Sequence, residues 1–140
     1  MRATTQRWKA RNKNHLLLAL MKELAGDAHI SFEGDLQGTG LLDLPGASIE
    51  ESEVLKRNTF WPKQGFVVLP LEADAVGPII AAIGGTIPHA VIHIQIERAG
   101  NLEFGAYDNF HSQSMFFGDA VTQSFLDSLV AGGLLMRPVE

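Results

Sequence analysis

Histidines and carboxylates recur at every second position in three short segments of this chain. A neutral imidazole held beside a carboxylate is the usual arrangement of a general base in an enzyme. Residues at alternate positions of a β-strand lie on the same face of the sheet, so this spacing would gather them on one surface. The polar residues that share the alternation are His29, Ser31, Glu33, His93, Gln95, Glu97, Glu103 and Tyr107.

The elements that would position these side chains are strands at 27–34, 89–97 and 102–108. In the second segment Ile92, Ile94 and Ile96 point away from the polar residues. A three-residue loop, Ala99-Gly100-Asn101, would keep the apolar residues of the last two strands on one face. In that register Glu97 lies opposite Glu103, His93 lies opposite Tyr107, and Leu102 faces the core with Phe104 and Ala106.

The polar face has three interpretations. It is a solvated side of an antiparallel sheet, a docking surface, or a catalytic groove on the open side of the sheet. The catalytic interpretation assigns a His/Glu/Tyr cluster, and it describes a small, cofactor-independent hydrolase or isomerase. Its residues are His93, Glu97, Glu103, Tyr107 and His29.

Metal and cofactor sites are not expected. His89 and His93 are four residues apart, but on a strand this spacing separates them by about 13 Å, too far to share one ion. The chain has no cysteine, which removes thiolate ligands and thiolate nucleophiles. Neither a nucleophile elbow nor a glycine-rich phosphate loop ending in Lys-Ser or Lys-Thr is present.

Aromatic residues in predicted turns suggest contacts with another protein. Phe60 and Trp61 precede Pro62 in a turn, and further aromatic residues occupy the connection 108–118. Such residues either pack on the edge of the core or anchor a protein interface, where Trp, Tyr, Phe and Met are enriched. The predicted binding residues are Trp61, Phe60, Gln95, Glu97, Tyr107, Asp108, Phe110, His111 and Phe116.

Charge is distributed unevenly along the chain, whose formal net charge is −5. Five of the eleven basic residues lie in residues 1–13, a basic N-terminal arm or helix start, and no acid lies there. The acidic remainder favours a basic protein partner and disfavours nucleic acid. The arm could also lie on the acidic body of a second copy, which would give a homo-oligomer.

Residues 1–140 are expected to form a single domain of the α+β class. The order of elements does not alternate as a parallel α/β fold would, so we expect two layers, an antiparallel sheet with helices packed on one face. The first helix is predicted from Thr5 to Ala25, a strand at 53–60, and a central strand at 65–71. No apolar run is long enough to cross a membrane, no signal peptide is recognised, and a cytoplasmic location is expected.

We therefore expect a non-catalytic, acidic protein-binding module of the small bacterial type rather than an enzyme. An inhibitor or immunity-type protein that neutralises a basic partner fits this pattern, because opposite charge speeds association. The hydrolase or isomerase described above is the alternative. A concave pocket on the open sheet face would favour that alternative, and a broad level patch would favour binding. A flat or helix-covered face would exclude the enzyme.

Overall fold

A five-stranded antiparallel sheet forms the body of the protein, and the fold is α+β as expected. The computed structural model describes residues 8–111 and 115–137. The sheet has the strand order β3-β2-β4-β5-β6, and a separate two-stranded pair joins β1 to β7. The strands are β1 Lys9–Ala10, β2 Ala28–Gly34, β3 Gly65–Pro70, β4 Val91–Arg98, β5 Asn101–Ala106, β6 Met115–Phe117 and β7 Leu135–Met136.

Within the described residues, three α-helices pack on one face of this sheet and make the second layer. Their apolar residues join the inward residues of the strands, such as Ile30, Phe32 and Ile94, in one buried cluster. Burying this apolar surface is the main favourable term in folding. The helices are α1 Lys13–Leu24, α2 Val76–Ala82 and α3 Gln123–Ala131, with short 3-10 turns at Leu41–Asp43 and Ala73–Ala75.

The first helix starts later than its apolar pattern predicts. Asn12 caps α1, since its Oδ1 accepts the backbone N–H of His15 at 3.2 Å. The preceding residues Lys9 and Ala10 pair instead with Met136 and Leu135. The predicted start at Thr5 and the first seven residues of the basic arm lie outside the described residues. Oligomerisation through that arm stays a prediction.

The β4–β5 hairpin closes with two residues, not three. Arg98 pairs with Asn101, and the connecting residues Ala99 and Gly100 have φ angles of 52° and 85°. Positive φ at both central positions is typical of a type I′ turn, whose twist matches the flanking strands. The predicted loop Ala99-Gly100-Asn101 was therefore wrong by one residue.

A β-bulge restores the register that the shorter loop would have lost. Glu97 pairs with Leu102 rather than with Glu103, yet Ile96 still pairs with Phe104. The bulge adds one residue to β5, and one extra residue moves the side chains that follow it to the other face of the sheet. Phe104 therefore keeps its predicted place in the core. Leu102 does not, and it joins the opposite face of the sheet.

Gly100 in the hairpin turn and Gly77 in α2 should respond differently to replacement by alanine. Gly100 and Gly77 both have no atom within 4 Å of an added Cβ, but Gly100 has a φ of 85° whereas Gly77 lies within α2. We expect Gly100→Ala to lower the free energy of unfolding by about 1 kcal/mol because it forces alanine into the left-handed region. Gly77→Ala should raise it by about 0.5 kcal/mol. Urea denaturation checks both, and equal effects would contradict the type I′ turn.

Candidate functional site

The centre of the polar face of the sheet is not open to solvent. Residues 48–64, here called the strap, cross it without regular secondary structure and cover the polar side chains of β2 and β4. The expectation of an open groove or a docking face was therefore wrong, and so was the strand predicted at 53–60. The polar side chains buried on this face and at its margin are Ser31, Glu33, His93, Gln95, Glu97 and Glu103.

The Glu33 carboxylate is the main attachment point of the strap. Its Oε1 accepts the backbone N–H of Asn58 at 2.7 Å, and its Oε2 accepts that of Thr59 at 3.1 Å. Glu33 is only 1% exposed. A buried charge is tolerated when it is hydrogen-bonded, and both of these bonds are charge-assisted. The strap thus gives the carboxylate the partners that water would otherwise supply.

His93 makes a second attachment to the strap and is 4% exposed. Its Nδ1 accepts the backbone N–H of Asp108 at 3.2 Å, so Nδ1 carries no proton. Its Nε2 therefore carries the proton of the neutral ring and donates it to Thr59 Oγ1 at 2.7 Å. Nε2 holds the strap and Nδ1 holds the loop after β5, so neither ring nitrogen is available to a substrate.

Gln95 connects the strap to β2 and to Tyr107, the residue that follows β5. Its Nε2 donates to the Lys56 carbonyl at 2.8 Å and to Ser31 Oγ at 3.2 Å. Its Oε1 accepts the Tyr107 hydroxyl at 3.1 Å. Burial raises the pKa of the Tyr107 phenol to about 12. These groups satisfy one another as a network, in which Ser31 and Gln95 are buried and Tyr107 is partly buried.

A small apolar cluster fixes the middle of the strap. Leu55 is fully buried against Phe66 and Val68, which project from the polar face of β3, and Leu102 packs beside them. The bulge in β5 is what brings Leu102 to this face. The strap is therefore held at its centre by apolar contacts and on either side by hydrogen bonds.

His29 is an accessible member of the predicted catalytic cluster, and it pairs with the buried Glu97. His29 Nδ1 and Glu97 Oε1 are 2.6 Å apart, and Glu97 Oε2 accepts the Gly100 N–H at 2.9 Å. The His29 side chain is half exposed. It borders a hollow of about 420 Å³ whose other wall is the strap, including Ser48 and Ser52.

The remaining predicted site residues are dispersed around the second hairpin strand. Glu103 is buried and its Oε1 accepts the Ala120 N–H at 3.0 Å, so it holds the loop before α3. Phe110 is buried in the core beside Phe104, with ring centroids 6.2 Å apart. Its assignment as a surface anchor is corrected to core packing. Asp108 and His111 are exposed, and Phe116 is partly buried.

Phe60 and Trp61 form an exposed aromatic tip at the end of the strap. Phe60 is 98% exposed and Trp61 is 82% exposed. The tip follows directly after the two residues that Glu33 holds, Asn58 and Thr59. A short, anchored segment thus presents two large apolar side chains to solvent.

A groove of about 690 Å³ lies at the base of the tip. Apolar residues Leu42 and Ile49, both largely exposed, line it together with the buried Phe66. The guanidinium of Arg57 lies over the Phe66 ring, 4.9 Å from its centroid. Lys63 adds a second positive charge to the lining. Asp35 and Asp43 also line it, so the groove combines apolar residues with side chains of both charges.

Comparisons with known proteins identify no relative: no protein-family model, no curated protein and no solved structure matches the chain. Within residues 8–111 and 115–137, no group of three or more His, Asp or Glu side chains could hold a metal ion. In the same part of the chain no helix is both long and apolar enough to span a bilayer.

Sequence reasoning missed the strap and the groove. The local signal for the strap is the apolar pair Val54-Leu55 between the polar residues Glu53 and Lys56, and no periodicity accompanies it. The backbone groups of Lys56, Asn58 and Thr59 carry the attachments, and backbone groups have no sequence signature.

Replacement of Glu33 by glutamine tests the attachment. Glu33→Gln leaves one carbonyl oxygen for two backbone donors and turns an amide N–H toward one of them, so we expect a loss of roughly 2–3 kcal/mol in the free energy of unfolding. Hydrogen exchange should become at least about tenfold faster at the Asn58 and Thr59 amides. Glu23→Gln, at an exposed position of α1, is the matched control. Unchanged exchange at those two amides would contradict the role of Glu33.

Proposed function

We propose that the protein is a non-catalytic protein-binding module that contacts its partner through the aromatic tip. The observation that carries this proposal is the exposure of Phe60 and Trp61 side by side on a segment fixed by Glu33. Exposed aromatic pairs cost free energy in water and recover it on burial in a partner. Because the segment is already ordered by its attachments, binding loses little conformational entropy.

The charge of the surface supports a basic partner. The strap residues Glu50, Glu51 and Glu53 are exposed, and they surround the hollow at His29. Acidic surfaces steer cationic proteins and raise association rates at low ionic strength. An inhibitor or immunity-type protein that neutralises a basic toxin or nuclease, within the cytoplasm, is the form of the proposal that uses this charge.

The tip should be required for a heterologous complex. The purified chain is titrated calorimetrically at low salt with the products of the two genes that flank its own. The expected result is a complex that Phe60→Ser with Trp61→Ser weakens at least about a hundredfold, because interface aromatics are hot spots worth ~2 kcal/mol or more each.

Met136→Ser is the control, since Met136 is a partly exposed apolar residue elsewhere on the surface. It should leave both the complex and the melting temperature unchanged. Absence of any complex at low salt, or equal affinity for the tip variant, would count against the proposal.

A second candidate function is favoured by the His29–Glu97 pair. With Nδ1–H donated to Glu97, the neutral imidazole keeps a lone pair on Nε2, as a general base requires. The ring borders the hollow of about 420 Å³. A small hydrolase or isomerase using this pair would need neither of the buried residues His93 and Glu103.

This second candidate predicts turnover that depends on His29. A panel of activated esters and enolisable ketones is assayed with the wild-type chain, with His29→Gln and with the control His89→Gln, which changes another exposed histidine. His29→Gln should lower kcat/KM at least about a hundredfold with no change in melting temperature. No turnover by the wild-type chain, or equal rates for all three, would exclude this base from these reactions.

A further inference from the structure

A third cavity, here called the proline pocket, opens at the corner between the end of β3 and the start of α2. It has a volume of about 390 Å³. Its buried lining residues are Leu69 and Ile79, and three prolines line it nearer the surface, Pro45, Pro70 and Pro78. Pockets for small molecules typically have a volume in this range and a mainly apolar lining.

The prolines make the proline pocket rigid. A proline ring fixes φ and has almost no side-chain freedom to lose when a ligand binds. Two of the three also belong to regular elements, since Pro70 ends β3 and Pro78 lies within α2. The pocket is therefore formed before a ligand enters, and binding loses little conformational entropy.

The charge around the proline pocket is negative. Its charged lining residues are Glu72 and Asp74, both exposed, and among the described residues no lysine or arginine lines it. The hollow at His29 shares Gly46 and Pro70 with it, and no described lysine or arginine lines that hollow either. A ligand that covers this rim removes water from two carboxylates, which favours a cation and opposes an anion.

The two carboxylates have acceptor capacity left for a ligand. Glu72 Oε2 accepts the backbone N–H of Asp27 at 3.2 Å, and no other described residue donates to the Glu72 or Asp74 carboxylate. A primary ammonium group brings three N–H donors to such acceptors. A quaternary ammonium group has none and is usually held by an aromatic cage, whereas the lining contains no aromatic residue.

We propose that the proline pocket binds a small primary amine with an apolar body. The ammonium group pairs with the carboxylates of Glu72 and Asp74, and the body covers Leu69 and Ile79. Because an ion pair exposed to water contributes little on its own, both the charge and the apolar contact are needed for binding. The site is separate from the aromatic tip and from the hollow at His29, so it does not depend on the proposed function.

The test is a titration of the full chain followed by its amide chemical shifts. Phenethylamine is the probe, and phenethyl alcohol is its neutral match, with a hydroxyl group in place of the ammonium group. Phenethylamine should shift the amides of Leu69, Ala75 and Ile79 saturably. It should bind at least about tenfold more tightly than the alcohol, because a charge-assisted contact replaces a neutral one.

Three further compounds define the ligand. Ethylamine lacks the ring and hydrocinnamic acid carries the opposite charge, so neither should saturate the pocket amides. Phenethyltrimethylammonium keeps the ring and the charge but has no N–H donor. It should bind at least about tenfold more weakly than phenethylamine.

A paired substitution removes the charge of the rim. Glu72→Gln with Asp74→Asn should lower the affinity for phenethylamine to that for the alcohol and leave the affinity for the alcohol unchanged. Glutamine keeps an oxygen that can accept the Asp27 N–H. Glu23→Gln with Asp119→Asn removes the same charges from exposed positions elsewhere and should preserve the preference for the amine.

A second pair of variants addresses the cavity itself. Ala75 and Ala73 belong to the same 3-10 turn, but Ala75 lines the proline pocket whereas Ala73 is exposed and does not. Ala75→Phe should fill the cavity and abolish binding of both the amine and the alcohol, and Ala73→Phe should leave both unchanged. Amide shifts remote from the pocket report whether each variant is folded.

Several outcomes would overturn the proposal. One is the absence of saturable shifts at Leu69, Ala75 and Ile79 with phenethylamine, and another is full binding by a folded Ala75→Phe variant. Equal affinity for the alcohol or for the quaternary analogue would exclude recognition of a primary ammonium group. A preference for the amine that survives Glu72→Gln with Asp74→Asn would do the same.

Discussion

The burial of one carboxylate, Glu33, is the constraint on which the polar half of the molecule depends. A charged group that is only 1% exposed must be hydrogen-bonded, and its partners are the backbone N–H groups of Asn58 and Thr59. The strap must therefore return to the same place over the sheet. That position sets the direction of the aromatic tip and divides the polar face into a sealed centre and an accessible edge at His29.

Much of the fold follows from alternation. The strand at 27–34, the β4–β5 hairpin and the single-sided helix layer were predicted because Ile30, Phe32 and the isoleucines of β4 define one apolar face. The predicted partner of Glu97 was Glu103, whereas its partner in the structure is Leu102. A two-residue turn followed by a bulge leaves Phe104 facing the core, and a three-residue loop without a bulge does the same. Alternation alone cannot distinguish these two solutions.

The candidate site was less predictable, for a physical reason. The sequence pattern of a polar sheet face is the same whether its side chains hydrogen-bond to water or to protein backbone. Here the backbone of the strap provides the partners of Glu33 and Gln95. β3 carried the one indirect signal. Its run Phe66-Val67-Val68-Leu69 is apolar on both faces, and the central strand predicted from it was wrong, because β3 lies at the edge of the sheet. Its second apolar face, Phe66 and Val68, is covered by Leu55 of the strap.

The bridge between Ser48 and Val68 has a consequence for solubility. The Ser48 backbone donates to and accepts from Val68, so part of the outer edge of β3 already has its hydrogen-bonding partner. Detachment of the strap would uncover that edge together with the apolar side chains of Phe66 and Val68. An unpaired strand edge rich in β-branched residues is a template for intermolecular pairing. By covering this edge, the strap should also reduce aggregation of the folded chain.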